Sequence, residues 1–220
     1  MDIHGENGAP TRSRGLALGY TGLVLSAVLM LGVHIVGSGQ IDAVGSTLSA
    51  LVFVDGYGWM FGASVLCMAA GAAGVGVAAR GHRPLRWTLG VVAVCCVLVA
   101  VFPTNESGPL TASAEIHRYA AGVAFFLVPV AALLVAVRLP HGDAARRGLL
   151  RGTLGAGVIL LLFLTSHFGV MPEAVQDLRG VFQRSMFVLQ LGVLARMLRA
   201  TARPVTVAVP AARRPVLVAA

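Results

Sequence analysis

A few ionisable side chains in or beside long apolar stretches are the residues of this sequence best suited to chemistry. His117, Glu106 and Asp55 are candidates for acid–base catalysis, because imidazole and carboxyl groups are the usual proton donors and acceptors in enzymes. Arg184 is the candidate for holding an anion or an oxyanion. These four residues form the predicted catalytic set.

A second group of polar and aromatic residues is predicted to bind the substrate. Histidines inside apolar segments are costly in lipid and are therefore functional candidates. The aromatic members favour an apolar pocket for a lipid-like molecule or a cation, and an interfacial aromatic belt is the simpler alternative. The predicted substrate-binding residues are His34, His167, Asn105, Gln183, Tyr57, Trp59, Phe102 and Tyr119.

Metal and cofactor sites are not predicted. His34, His117 and His167 are expected at similar depth, and imidazoles with a carboxylate are competent zinc ligands. No local ligand spacing such as His-x-x-x-His accompanies them. The G-x-S-x-G, Walker and dinucleotide-binding patterns are also missing, so hydrolase, nucleotide-driven and hydride-transfer chemistry lack support.

The elements that must position these residues are membrane-spanning helices. Only 12% of the residues are charged, against roughly 25% in soluble domains. Apolar runs of about 20 residues can cross the hydrocarbon core, where helices keep the backbone groups paired. The predicted fold is an all-α, polytopic bundle of six transmembrane helices, at about residues 15–37, 57–79, 87–103, 117–137, 152–171 and 180–198.

The distribution of arginine predicts the topology. The chain has 17 arginines and no lysine, and 14 of the arginines lie in the head, in the turns after the second and fourth spans, and in the tail. The positive-inside rule places these segments in the cytoplasm, so both termini are cytoplasmic and the protein is predicted in the cell inner membrane. Topology also explains the net charge of +8, and nucleic acid is not a predicted partner.

Three regions follow from this topology. Residues 1–14 are a cytoplasmic head, residues 15–200 the six-helix domain, and residues 201–220 a basic tail that is disordered or lies on the membrane surface. Asp55, Glu115 and Asp177 each precede an aromatic residue near a helix start, about 60 residues apart, which suggests three tandem helical hairpins. Small residues at 69–74 and 152–157 predict close helix contacts, within one chain or between chains, so the oligomeric state stays open.

Polar residues near the start of the sixth span are predicted to share one helix face, because they recur at intervals of three and four. Gln190 continues this face toward the middle of the membrane, a pattern typical of a helix that lines a wet cavity. The other members are Glu173, Gln176, Asp177, Gly180, Gln183 and Arg184. Because an unpaired cation inside the membrane costs a few kcal/mol, Arg184 is expected to pair with Glu106, Asp55 or Asp177.

Three short stretches resemble a known family. Phe102-Pro103-Thr104-Asn105 closes the third span, Ile116-His117-Arg118 opens the fourth, and Tyr57-Gly58-Trp59 opens the second. Over roughly residues 15–200 the chain resembles the bacterial six-helix membrane proteins of domain-of-unknown-function family 998. Members typically read Tyr-Gly-Trp, then Phe-Pro-Thr-Asp, then a His that opens helix four. The resemblance implies the six-helix fold and brings no established activity.

One position departs from the family pattern. The family usually has Asp where this chain has Asn105, and Glu106 follows it. If the family carboxylate does chemistry, either Glu106 has taken its place or this member differs. His117 is the principal functional candidate, because packing alone gives no reason to prefer histidine in the first turn of the fourth span.

The predicted function is a membrane-embedded enzyme that acts by acid–base chemistry on a lipid-like or isoprenoid substrate, in a pocket open to the outer face. The alternative is a non-catalytic lipid- or protein-binding membrane subunit. A transporter ranks third, because no span shows a Pro/Gly interruption or a charged residue at mid-membrane. The expected partners are membrane lipids and a hydrophobic small molecule.

Overall fold

Seven α-helices and one 3₁₀ helix build the part of the chain that the computed structural model describes, residues 9–79, 81–105 and 108–202. Six of them are long and apolar enough to cross a membrane, which confirms the predicted all-α, multi-pass fold. In chain order they are α1 (Ala9–Val36), the 3₁₀ helix Leu48–Phe53, α2 (Trp59–Ala78), α3 (Arg83–Val101), α4 (Ala112–Ala136), α5 (Ala144–His167), α6 (Glu173–Gln176) and α7 (Arg179–Ala202).

Several helices begin earlier than hydropathy predicted. Helix α4 begins at Ala112 rather than near residue 117, because the Thr111 hydroxyl accepts a hydrogen bond from the Ala114 N–H (3.2 Å). Helix α5 begins at Ala144 rather than near residue 152, because the Asp143 carboxylate accepts from the Ala145 N–H (2.7 Å). An apolar run locates the hydrocarbon core, whereas capping residues set the helix ends.

Consecutive long helices pack on each other, and α7 also contacts α1, α2 and α4. The guanidinium of Arg12 donates to the Thr201 carbonyl, so the two ends of the described chain meet at one end of the bundle. We call this the proximal end. The distal end is formed by residues 37–58, 102–105, 108–111 and 168–178. The three predicted hairpins correspond to the packed pairs α1–α2, α3–α4 and α5–α7. Further packing between α2 and α3 and between α4 and α5 joins these pairs into one bundle.

Glycines bring α1 and α2 into backbone contact. A Cβ added to Gly74 would lie 2.5 Å from the Cα of Gly19, and one added to Gly22 would lie 2.6 Å from the backbone nitrogen of Gly71. The small-residue face predicted at 69–74 therefore meets a glycine face of α1 within the same chain. In lipid, where packing replaces the hydrophobic driving force, such close contact holds helices together.

The second small-residue face also packs within the chain. A Cβ added to Gly152 of α5 would lie 2.8 Å from a methyl carbon of Val193 in α7. The predicted basic tail falls mostly on residues 203–220, which lie outside the described residues, as do residues 1–8 of the head.

We expect Gly74→Ala to destabilise the protein by about 1–3 kcal/mol, because backbone atoms of α1 cannot move aside for the new methyl group. Thermal unfolding of the detergent-solubilised protein measures the change. Gly76→Ala, on the same helix, is the matched control, since its added Cβ meets only ordinary contacts at 3.7 Å. Equal stability of the two variants would refute the tight α1–α2 contact.

Candidate functional site

Segment 42–48 crosses the distal end and is hydrogen-bonded to the start of α7. The Gly180 N–H donates to the Val44 carbonyl (2.9 Å), and Arg179 Nε donates to the Gly45 carbonyl (2.8 Å). A Cβ added to Gly180 would lie 2.5 Å from the Val44 oxygen, so glycine is required there. The Asp42 carboxylate accepts from the N–H groups of Val44 and Gly45, both at 2.9 Å, and these bonds hold the pKa of Asp42 below its usual value.

Arg184 ties the same segment to α1. Its Nε donates to Nε2 of His34 (3.0 Å), and its Nη1 donates to the carbonyls of Ser46 (2.7 Å) and Gly180 (3.1 Å). His34 donates from Nδ1 to the Met30 carbonyl (2.7 Å), so its Nε2 is the acceptor and the ring is neutral in this arrangement. Arg184 therefore joins α1, segment 42–48 and α7.

The expected pairing of Arg184 with a carboxylate is wrong for Asp55 and Asp177. In the described part of the chain its partners are an imidazole and two backbone carbonyls. The third expected partner, Glu106, lies outside the described residues. The carbonyls of Ser46 and Gly180, together with the nearby Asp42 carboxylate, supply the negative potential around its guanidinium group.

Three adjoining cavities lead from the distal surface into the bundle, and we call them together the cleft. The outer chamber, about 360 Å³, shares Thr47, Thr104 and His167 with the middle chamber, about 140 Å³. The inner chamber, about 50 Å³, shares its wall with the middle one. The residues common to the middle and inner chambers are Ser49, His117, Ala121, Phe125 and Gln183.

His117 stands where the middle and inner chambers meet, and only 6% of its surface is exposed. Its Nδ1 donates to two carbonyls at the end of α3, those of Phe102 (2.9 Å) and Val99 (3.1 Å). The Phe61 ring stacks on it at 6.4 Å between centroids. This leaves Nε2 as an acceptor that no described residue engages.

The position of His117 corrects two expectations. It lies in the second turn of α4, not the first, because Thr111 begins the helix earlier. Packing does give a reason for histidine, since its Nδ1–H satisfies carbonyls that α3 leaves without intrahelical partners.

Two glutamines of α7 form the opposite wall. Gln183 Oε1 accepts from the Leu48 N–H (2.7 Å), which anchors the 3₁₀ helix. Gln190 Nε2 donates to the Phe125 carbonyl (2.9 Å). This carbonyl has no partner within α4, because the residue four positions later is Pro129, which has no N–H. Gln190 Oε1 is buried and has no partner among the described residues.

A transporter was ranked third because no span was expected to be interrupted by proline or glycine at mid-membrane. Pro129 does lie inside α4, but the helix continues through it.

His167 and Asn105 belong to the outer part of the cleft. His167 stacks on Phe163 (5.5 Å between centroids, 25° between planes) and meets Phe168 edge-on at 5.5 Å. Asn105 lines the outer chamber, and its amide donates to the Gly108 and Pro109 carbonyls, both at 3.3 Å. His34 lines none of the three chambers, so the three histidines do not converge.

Several predicted site residues lie outside the cleft. Tyr57, Trp59 and Tyr119 are 48%, 65% and 72% exposed and line no chamber. Asp55 lies in the turn before α2, where its N–H is bonded to Gln40 Oε1 (2.9 Å). Phe102 contributes its backbone carbonyl rather than its ring. The aromatic walls of the cleft are instead Phe53, Phe61, Phe125, Phe163, Phe168 and Phe187.

Two arginines at the cleft were not predicted as site residues. Arg118 lines the middle chamber and Arg179 lines the outer one. The sequence did contain a signal for each of them. Arg118 directly follows the candidate His117, and Arg179 directly precedes the polar residues of α7.

We expect Arg184→Met and His34→Phe to be coupled by about 1–3 kcal/mol in a double-mutant cycle of unfolding free energy, because each change removes the same charge-assisted hydrogen bond. As the control pair, Arg184→Met and Asp55→Asn should be additive to within about 0.5 kcal/mol. Stronger coupling to Asp55 than to His34 would contradict the observed pairing.

Residues 20–200 match the family described as "Protein of unknown function (DUF998)". The match covers most of the 220 residues, so the chain belongs to this family, as the resemblance in its sequence indicated. No curated protein and no solved structure matches the chain significantly.

Proposed function

We propose that this DUF998 protein binds an amphiphilic, lipid-like molecule in the cleft. One observation carries the proposal: polarity falls along the cleft from the surface inward. Threonines, Asn105 and Arg179 line the outer chamber. The inner chamber is lined almost wholly by apolar side chains, with His117, Gln183 and Gln190 as its main polar groups. A molecule with a polar head and an apolar tail matches this gradient.

Access from the membrane supports a lipid-like occupant. Leu164 and Phe168 both line the middle chamber, and they are 37% and 66% exposed on the outside of the bundle. The middle chamber therefore reaches the lipid-facing surface between α4 and α5. In the most apolar stretch of α5 only 17% of the residues are buried, against 56% in that of α2, so α5 is the least enclosed wall of the cleft.

The polar groups in the cleft suit a ligand that donates and accepts hydrogen bonds. His117 Nε2 and Gln190 Oε1 are acceptors with no partner among the described residues. The Gln183 amide nitrogen is a donor, since its oxygen is already bonded to Leu48. Gln190 Oε1 is buried, and a buried acceptor without a partner costs free energy, so a ligand hydroxyl would be bound favourably by it.

A second candidate function is the predicted acid–base catalysis on the bound molecule. It is favoured by the anchoring of His117, whose Nδ1–H is held by two carbonyls while Nε2 is available to exchange a proton. Carbonyl dipoles at Nδ1 would stabilise the imidazolium that forms, as an orienting carboxylate does in catalytic triads. Asp55 and Arg184 line no chamber and Glu106 lies outside the described residues, so this proposal depends on His117.

We also propose that the proximal end faces the cytoplasm, which opens the cleft to the outer face of the inner membrane. The support is the arginine asymmetry, because 14 of 17 arginines belong to the head, the tail and the two proximal turns.

Ala121→Phe should block the cleft, since Ala121 lines both the middle and the inner chambers and the added ring would fill them. The measurement is labelling by a photoreactive diazirine analogue of farnesol in nanodiscs, with cross-linked residues located by mass spectrometry. We expect saturable labelling of residues that line the cleft. Ala121→Phe should reduce this labelling at least about tenfold, which corresponds to a loss of about 1.4 kcal/mol of binding free energy.

Val123→Phe is the matched control, because Val123 lies on the same helix and is 42% exposed to lipid. It should leave labelling of the cleft unchanged. Labelling that is unsaturable, or equal in the two variants, would show that the probe reports only the lipid-facing surface and would refute binding in the cleft.

His117→Gln tests the catalytic candidate. The wild-type protein, incubated in D₂O with citronellal, an isoprenoid aldehyde, should exchange the protons α to the carbonyl for deuterium faster than buffer does, because a neutral imidazole can remove such a proton and return a deuteron. His117→Gln keeps a hydrogen-bonding side chain but removes the titratable group, so it should abolish the exchange while photolabelling persists. The control is His141→Gln, an exposed position at the proximal end. No exchange by the wild type would remove the catalytic candidate and leave the binding proposal intact.

A further inference from the structure

Two arginines flank the mouth of the cleft. Arg118, in the second turn of α4, lines the middle chamber, and Arg179, at the first residue of α7, lines the outer one. His167 lines both chambers and lies within electrostatic range of both guanidinium groups. The two cations therefore act on the same opening from two different helices.

Neither arginine is neutralised by the described part of the chain. No described Asp or Glu lines the outer, middle or inner chamber. Arg179 uses its Nε on the Gly45 carbonyl, and its two terminal nitrogens bond to no described residue. Two exposed guanidinium groups at one opening, without a described carboxylate, make a positive potential that attracts an anion.

Arg184, the residue predicted to hold an anion, is unsuited to that role. Its Nε and Nη1 are bonded to His34, Ser46 and Gly180, and its Nη2 is buried. It also lines none of the three chambers. The anion-binding role passes to the arginines whose donors remain accessible.

Resting on the proposed function, we infer that Arg118 and Arg179 bind the anionic head group, a phosphate or a carboxylate, of the molecule whose apolar part occupies the cleft. Guanidinium groups donate paired hydrogen bonds to both kinds of oxyanion. The head would lie in the outer chamber beside His167, and the tail would run past His117 toward Gln190. Among the described residues the cleft is cationic at its mouth and neutral within, and this charge distribution favours that orientation of the molecule.

The test is competition against the photoreactive farnesol analogue, on the full chain in nanodiscs of neutral phosphatidylcholine. The competitors are farnesyl phosphate, farnesoate, farnesol and inorganic phosphate. We expect farnesyl phosphate or farnesoate to suppress labelling of the cleft at concentrations at least about tenfold below farnesol, the scale of one added charge-assisted hydrogen bond. Inorganic phosphate alone should not suppress it.

Substitutions assign the preference to the two arginines. Arg118→Gln should reduce the preference for the anionic competitor about tenfold while farnesol competes as before. Arg179→Gln should act similarly, and Arg179→Lys, which keeps the charge, should retain most of the preference even though the bond to the Gly45 carbonyl changes. The control is Arg151→Gln, an exposed arginine of α5 that lines no chamber.

Each outcome decides the inference. Equal competition by farnesol and both anionic analogues, with no effect of Arg118→Gln, would overturn the anionic head group while saturable labelling still upheld the cleft. Suppression by inorganic phosphate alone would show a site for the free ion and would overturn the amphiphile's head group. Absence of saturable labelling in every arm would instead defeat the proposed function itself.

Discussion

The need to satisfy the backbone of segment 42–48 determines the architecture of the distal end. Irregular backbone near the membrane is stable only where protein or water pairs its polar groups. Here the carbonyls of Val44, Gly45 and Ser46 accept bonds from the first turns of α7, and the Leu48 N–H is bonded to Gln183. The same segment carries Thr47, which lines two chambers of the cleft. The hydrogen bonds that hold the segment in place therefore also position Thr47 at the mouth of the cleft.

Three histidines bond to backbone carbonyls in the same way, but the second ring nitrogen has different surroundings in each of them. His34, His82 and His117 each place one ring nitrogen on a backbone carbonyl, which leaves the other nitrogen as an acceptor. In His34 that acceptor is bonded to Arg184, and in His82 it accepts from the Leu85 N–H (3.4 Å). In His117 no described residue engages it, and the ring lines two chambers. All three rings thus have a structural role through one nitrogen, and only in His117 does the other nitrogen, Nε2, have no partner among the described residues.

The sequence predicts the depth of a residue in this protein better than the direction in which it points. Apolar runs predicted the six helices, and the distribution of arginine predicted which ends of the helices lie together. The location of His117, His167 and Gln183 toward the distal end follows from these two patterns. Trp59 and Tyr119 have similar depth, yet they point away from the cleft. Rotation about a helix axis is set by contacts such as Gly74 against α1, and the sequence showed a small-residue face without naming its partner.

The polar stripe of α7 shows why direction matters for function. Spacing predicted one face, but residues three apart are separated by about 60° around a helix and adjacent residues by about 100°. Gln183 and Gln190, seven apart, share the face that lines the cleft, whereas Arg184 points toward His34 and segment 42–48. One face of α7 thus lines the cleft, whereas the neighbouring face is bonded to α1 and to segment 42–48 through Arg184. Gln183 belongs to both, since its oxygen holds Leu48 while the residue lines the cleft, so a ligand bonded to its amide would act directly on the segment that forms the mouth.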